Sequence, residues 1–124
     1  MISMVLSHTS PYEQFERNAL RLLCSVLIQP VTRVELAALL DGELFLEPLN
    51  RVIFEEIAAL GDVPSAKLRE LLPSRVTNRG FPDFELKEFL APDLATESEI
   101  EGLFESVLRM IELRHRETEQ GMEN

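Results

Sequence analysis

Apolar residues recur at helical spacing along this chain, and the clearest pattern lies in its last third. Counting from the first of them, positions i, i+3, i+4, i+7, i+8 and i+11 are all apolar. These positions are Ile100, Leu103, Phe104, Val107, Leu108 and Ile111. Thr96 and Glu99 precede them at the spacing of a capping box, in which each side chain bonds the other residue's backbone N–H. The pattern predicts an amphipathic helix from Thr96 to about Glu117.

A wider apolar pattern near the N-terminus predicts a helix that several others surround. At 100° per residue its apolar arc spans about 160°, more than a helix on a surface needs. The arc contains Tyr12, Phe15, Ala19, Leu20, Leu22, Leu23, Val26 and Leu27. Ser10, Pro11 and Glu13 match a capping box with proline at the first helical position, and we expect Pro30 to end the helix.

Capping and stop signals predict two further helices in the middle of the chain. Thr32 and Glu35 form another capping box, for a short helix through Leu40. Pro48 opens the next helix and Gly61 stops it. The apolar stripe of that helix is Leu49, Val52, Ile53, Ile57 and Leu60.

The region that joins these helices to the last one contains two more short elements. Ser65 is predicted to cap a helix that Pro73 closes, residues 74–83 are predicted to form a loop, and a brief helix covers Phe84 to Leu90. No segment alternates at period two for long enough to indicate a strand. The predicted fold class is therefore all-α, a single bundle of about six helices that ends in a long amphipathic one.

The length of 124 residues fits one domain. We interpret residues 10–119 as a helical interaction domain, residues 1–9 as an N-terminal tail and residues 120–124 as a polar C-terminal tail.

The charge balance changes the set of expected partners. The chain has 22 acidic and 12 basic residues, a net charge of −10, so phosphates would repel it at long range. We therefore expect neither direct nucleic-acid binding nor binding to anionic membranes. No apolar run approaches the roughly 20 residues that span a bilayer, and residues 1–6 lack the features of a signal peptide. The expected location is the cytoplasm.

Residues that carry chemistry are few and scattered. The one cysteine, Cys24, lies at the edge of the first apolar arc, where a buried or half-buried thiol is the ordinary interpretation. His8 and His115 stand far apart, with no ligand-spaced partners for a metal. We therefore predict no catalytic residues, no metal site and no cofactor, and hence a chain that is not itself an enzyme.

Two charged features allow more than one interpretation. Glu56 falls within the apolar stripe of the third helix, where it is either an acid–base group or a rim residue whose carboxylate reaches water or a helix terminus. Lys67, Arg69, Arg75 and Arg79 form the only locally basic stretch. This stretch either meets phosphate or an acidic partner, or balances the surrounding acids.

The last helix has a second face besides its apolar stripe. Gly102, Ser106, Met110 and Leu113 fall within about 80° of one another on it. A mid-helix glycine costs about 1 kcal/mol relative to alanine, which favours a face that another helix approaches closely. The face is either a partner-binding surface or buried inside its own domain.

Two segments of the chain resemble a known family. They are Glu16-Arg17-Asn18-Ala19-Leu20-Arg21-Leu22-Leu23-Cys24 and Phe45-Leu46-Glu47-Pro48-Leu49-Asn50-Arg51-Val52-Ile53-Phe54-Glu55-Glu56-Ile57. The order is similar to the helical domain shared by the C-terminus of bacterial replicative primases (DnaG-type) and the N-terminus of replicative helicases (DnaB-type). A weaker similarity continues through residues 86–90 into the last helix.

The resemblance implies a protein partner. In such a primase this domain binds the replicative helicase, largely through its C-terminal helices. That implies partner-binding roles here for residues of the last helix: Ser106, Arg109, Met110, Leu113 and Arg114. In such a helicase the related domain assembles the ring and receives the primase, which implies a homodimer or binding to primase. A stand-alone helical adaptor is the third alternative.

Overall fold

The prediction of an all-α fold is confirmed. The computed structural model describes the backbone of residues 11–90 and 96–123, and the side chains of residues 12–90 and 96–116. Within these ranges there are six α-helices and no strand. The helices are α1 (Pro11–Leu23), α2 (Pro30–Leu39), α3 (Pro48–Leu60), α4 (Ser65–Asn78), α5 (Leu86–Phe89) and α6 (Glu97–Glu123). A single 3₁₀ turn, Gly42–Leu44, lies between α2 and α3.

Helix α1 lies at the centre of the bundle, as its wide apolar arc predicts. It packs most extensively against α6 and also contacts α2 and α3, while α3 packs against α4. Its fully buried residues are Ala19, Leu20, Leu22 and Leu23. Phe45 adds a stacked ring contact with Phe54 of α3, with ring centroids 4.6 Å apart. These contacts place α1 and α3 in one core.

The predicted boundary between α1 and α2 is wrong. Helix α1 ends at Leu23, and Val26 and Leu27 are exposed, although the pattern placed both in the apolar arc. Pro30 begins α2 instead of ending α1, because proline lacks only an N–H that the first helical turn leaves unbonded. The capping residue of α2 is consequently Gln29, not Thr32.

Helix α4 continues through the predicted stop. Pro73 lies inside it, and the helix ends at Asn78, so residues 74–78 are not part of a loop. An interior proline costs about 3 kcal/mol, but the buried stripe continues beyond it to Val76. Burying this stripe against the core offsets the cost. Ser65 is the first helical residue and not the cap, which is Pro64.

The start of α6 is confirmed in detail. The backbone N–H of Thr96 donates to Glu99 Oε1 at 3.0 Å, and that of Glu99 donates to Thr96 Oγ1 at 3.3 Å. The helix extends to Glu123, beyond the end predicted near Glu117, so residues 120–123 are helical. The predicted capping box at Ser10 and the tail at residues 1–9 lie outside the described residues.

The buried stripe of α6 is narrower than predicted. It is Ile100, Leu103, Val107 and Met110, which follow the i, i+3, i+7, i+10 spacing of a two-helix seam. Leu108 was expected in the core but is 65% exposed, because α6 packs mainly against a single helix, α1, and its buried stripe need not widen.

Candidate interaction surfaces

The structure separates the five predicted partner-binding residues of α6. Met110 is fully buried, so its assignment to a partner surface was wrong: its side chain packs into the core of its own domain. Arg109 is exposed, whereas Leu113 and Arg114 are half-buried. Ser106 accepts a hydrogen bond from Asn18 Nδ2 at 3.0 Å, which ties it to α1. Four of the five therefore remain at least partly accessible.

Gly102 does not serve close helix packing among the described residues. It is exposed, and a Cβ placed on it would have no atom within 4 Å. An open groove runs beside it along α1 and α6. The groove is lined by Phe15, Gly102, Glu105, Ser106, Leu108, Arg109 and Glu112. We define these residues as the α6 groove.

Leu108 is the residue of the α6 groove that the sequence misplaced. Its position lies about 80° from that of Ile100 around the helix axis, at the edge of the apolar stripe. An apolar residue at such an edge faces either the core or a partner, and periodicity alone does not decide between them. The α6 groove consequently combines one exposed leucine with carboxylates and one guanidinium.

Glu56 belongs to an ion-pair cluster between α3 and α4. Arg75 Nε lies 2.7 Å from Glu56 Oε1, Arg79 Nη1 lies 2.7 Å from Glu56 Oε2, and Arg79 Nη2 lies 2.8 Å from Glu55 Oε1. Two cations of the basic stretch thus balance acids of the same chain. Burial raises the pKa of the Glu56 carboxyl, but hydrogen bonds from Arg79 and Arg75 outweigh it and bring the pKa below its ordinary 4.5.

This shift predicts a pH-dependent contribution to stability. Because the folded pKa of Glu56 is depressed, its stabilisation is present above the unfolded pKa near 4.5 and is lost as the pH falls through the folded value. Glu56→Gln should therefore unfold at lower urea concentration at neutral pH, and this difference should vanish in acid. The loss is modest, because both arginines are about two-fifths exposed. Glu70→Gln, from the exposed pair with Lys67, is the control and should change little.

Cys24 is a buried structural thiol. It is fully inaccessible, and burial raises its pKa to about 12, against smaller opposing effects of Arg69 and Arg33. A thiol with so high a pKa stays protonated at neutral pH and is a poor nucleophile. Arg69 Nε donates to the Cys24 carbonyl oxygen at 2.8 Å, which joins α4 to the end of α1.

Other chemistry is sparse in the described ranges. Nowhere among the described side chains of residues 12–90 and 96–116 do three or more His, Cys, Asp or Glu group as a metal site would need. His115 is exposed, and His8 lies outside these ranges. None of the helices described is both long and apolar enough to cross a membrane.

The side chain of Arg33 positions a second surface, between α2 and α3, that the sequence did not indicate. Its side chain is 1% exposed, and its guanidinium donates to the carbonyl oxygens of Gly61 and Val63 and to Ser65 Oγ. These bonds hold α2 against the turn between α3 and α4. They leave an apolar groove between α2 and α3.

Comparisons of this chain with protein-family models, with curated proteins and with solved structures found no match.

Proposed function

We propose that this chain is a non-catalytic interaction domain of the bacterial DNA replication machinery, equivalent to the primase domain that binds the replicative helicase. The observation that carries the proposal is how the two segments of the family resemblance meet. Glu16 of the first segment is 1% exposed, and its carboxylate accepts three hydrogen bonds from the second segment.

The geometry at Glu16 explains why both segments are needed together. Its carboxylate accepts from the backbone N–H groups of Leu46 at 3.1 Å and Glu47 at 3.3 Å, and from Asn50 Nδ2 at 3.1 Å. The carboxylate thereby caps the start of α3, which has no side-chain cap of its own. A domain that shares this arrangement needs an acid in the first helix and the Phe-x-x-Pro turn before the third.

The surface proposed for the helicase is the α6 groove with the neighbouring Leu113, whereas Arg114 lines a different cleft together with Leu44 and Ile111. Leu108 supplies an exposed apolar anchor, and Arg109 with Glu105 and Glu112 supplies charges around it. Arginine is enriched among the hot spots of protein interfaces, which favours Arg109 as a main contributor to binding. Met110 supports this face from inside and does not touch the partner.

The test is a binding measurement with the replicative helicase encoded in the same genome. We expect the chain to co-elute with the helicase in gel filtration at micromolar concentration. Leu108→Asp and Arg109→Glu should each weaken binding by about tenfold or more, equivalent to about 1.4 kcal/mol. The matched control is Val31→Asp, because Val31 is 62% exposed, close to the 65% of Leu108, and lies at the start of α2.

The result also separates the related alternatives. No complex at micromolar concentration contradicts the proposal. Self-association of the chain, or binding to primase in place of helicase, would favour the N-terminal domain of a helicase. Binding to neither would favour a stand-alone adaptor.

A further inference from the structure

The exposed apolar residues of this protein are concentrated around α2. Of the seven large hydrophobic residues exposed in the described ranges, five lie between residues 26 and 39. They are Val26, Leu27, Val31, Val34 and Leu39. Scattered apolar residues are normal on a protein surface, but a contiguous group on one element indicates a binding face.

Part of this group forms one wall of a groove between two helices. A cleft of about 250 Å³ is lined by Val34 and Ala38 of α2 and by Phe54 and Ala58 of α3. It continues past Val31 and Gly61 at one end. We define Val31, Val34, Ala38, Phe54, Ala58 and Gly61 as the α2–α3 groove. The bonds from Arg33 beneath it hold both walls, so the groove is preformed.

The charges around this groove are acidic. Asp62 lines the end near Val31, and Asp41 and Glu43 line the adjoining cleft at the other end. Arg51 also lines that adjoining cleft, but the carboxylates of Asp41, Glu43 and Glu55 outnumber its guanidinium there. Arg33 lines the groove itself but is 1% exposed. An apolar channel with acids at both ends is complementary to an apolar stripe flanked by cations.

We propose that the α2–α3 groove docks a cationic amphipathic helix of a partner protein, with aliphatic side chains in the channel and Lys or Arg against the acidic ends. A helix fits because the groove lies between two helices and has no strand edge to extend. A second copy of this chain fits poorly, because its net charge is −10 and a symmetric contact would bring acidic rims together. The groove is separate from the α6 groove, so this proposal does not depend on helicase binding.

The probe is a synthetic peptide of about 18 residues, long enough for five helical turns. It carries leucine at alternating three- and four-residue spacing and Lys or Arg elsewhere. Titrated into the ¹⁵N-labelled full chain, it should shift amide resonances of α2 and the second half of α3. A peptide with Glu in place of each Lys and Arg should bind about tenfold more weakly or worse.

Two variants test the groove itself. Val31→Asp and Ala38→Glu place a carboxylate in it, and both should remain folded because both residues are exposed. Asp at the second position of α2 also suits the helix dipole. A charge in the channel should weaken peptide binding about tenfold. Leu108→Asp is the matched control, since Leu108 is 65% and Val31 62% exposed, and it should bind normally.

Several outcomes would overturn the proposal. No shifts at millimolar peptide, shifts confined to α6, or equal binding of the acidic peptide would each do so. Concentration-dependent shifts of α2 in the free chain would assign the groove to a second copy. If the peptide binds only after residues 1–9 are deleted, the α2–α3 groove would be assigned to this chain's own first segment. Helicase binding that survives Val31→Asp leaves both proposals intact.

Discussion

Replacing Arg33 with alanine is expected to lower the free energy of unfolding by about 3 kcal/mol. Arg33 is 1% exposed and bonds two carbonyl oxygens in the turn between α3 and α4, together with Ser65 Oγ. Alanine leaves those acceptors without their donor and leaves a cavity where the long side chain lay. Urea unfolding monitored by circular dichroism measures the loss.

A second variant separates the hydrogen bonds from the packing. Arg33→Met keeps most of the apolar stem and removes the buried charge, whose desolvation is itself costly. We therefore expect Arg33→Met to lose only about 1–2 kcal/mol. Equal stability of Arg33→Met and the unaltered chain would show that the hydrogen bonds of the guanidinium only offset the cost of burying its charge. Arg33→Ala should also broaden the amide resonances of α2, because its bonds to the α3–α4 turn are gone.

Replacing Glu16 with alanine is expected to cost a similar amount, about 3 kcal/mol. Three donors lose their acceptor: the backbone N–H groups of Leu46 and Glu47, and the side-chain amide of Asn50. The first two lie at the start of α3, so the capping interaction of that helix is lost as well. The measurement is again urea unfolding, with amide hydrogen exchange at Leu46 and Glu47 as a local reporter.

Two controls define this prediction. Glu16→Gln retains one acceptor oxygen and should lose less than Glu16→Ala. Asn50→Ala removes a single donor, and its effect should shrink in the Glu16→Ala background, because the two residues share one bond. Additive losses in the double variant would contradict the contact between them.

The two predictions bear on function in different ways. Glu16 joins the two segments of the family resemblance, so its loss should weaken any activity that depends on the whole fold. Arg33 holds the α2–α3 groove, so a partly destabilised Arg33→Met chain should lose affinity for the cationic peptide while retaining the α6 groove. Measuring both variants against helicase and peptide distinguishes the two surfaces.

Local pattern in the sequence was sufficient for the elements themselves. The all-α class follows from helical periodicity, and the Thr96–Glu99 capping box was predicted correctly because both bonds join residues three apart. Spacing placed Glu56 in the stripe of α3 but left it either an acid–base group or a rim residue. Its arginine partners did not follow from spacing, because Arg75 lies 19 and Arg79 23 residues away.

Tertiary structure decided which apolar residues are buried and which polar ones hold the fold. Leu108 and Met110 are both apolar and close on α6, yet only Met110 is buried, because the packing of α6 against α1 selects one narrow stripe from a wider pattern. Val26 and Leu27 were also misplaced, because α1 ends at Leu23 and Pro30 begins a separate helix. The two residues therefore lie between helices and not on the apolar arc of α1. Glu16 and Arg33 bond groups about 30 residues away, and no spacing rule connects positions that only folding brings together. The sequence by itself therefore determined the all-α class and the capping box of α6, while packing determined the other helix boundaries and which side chains lie on the surface.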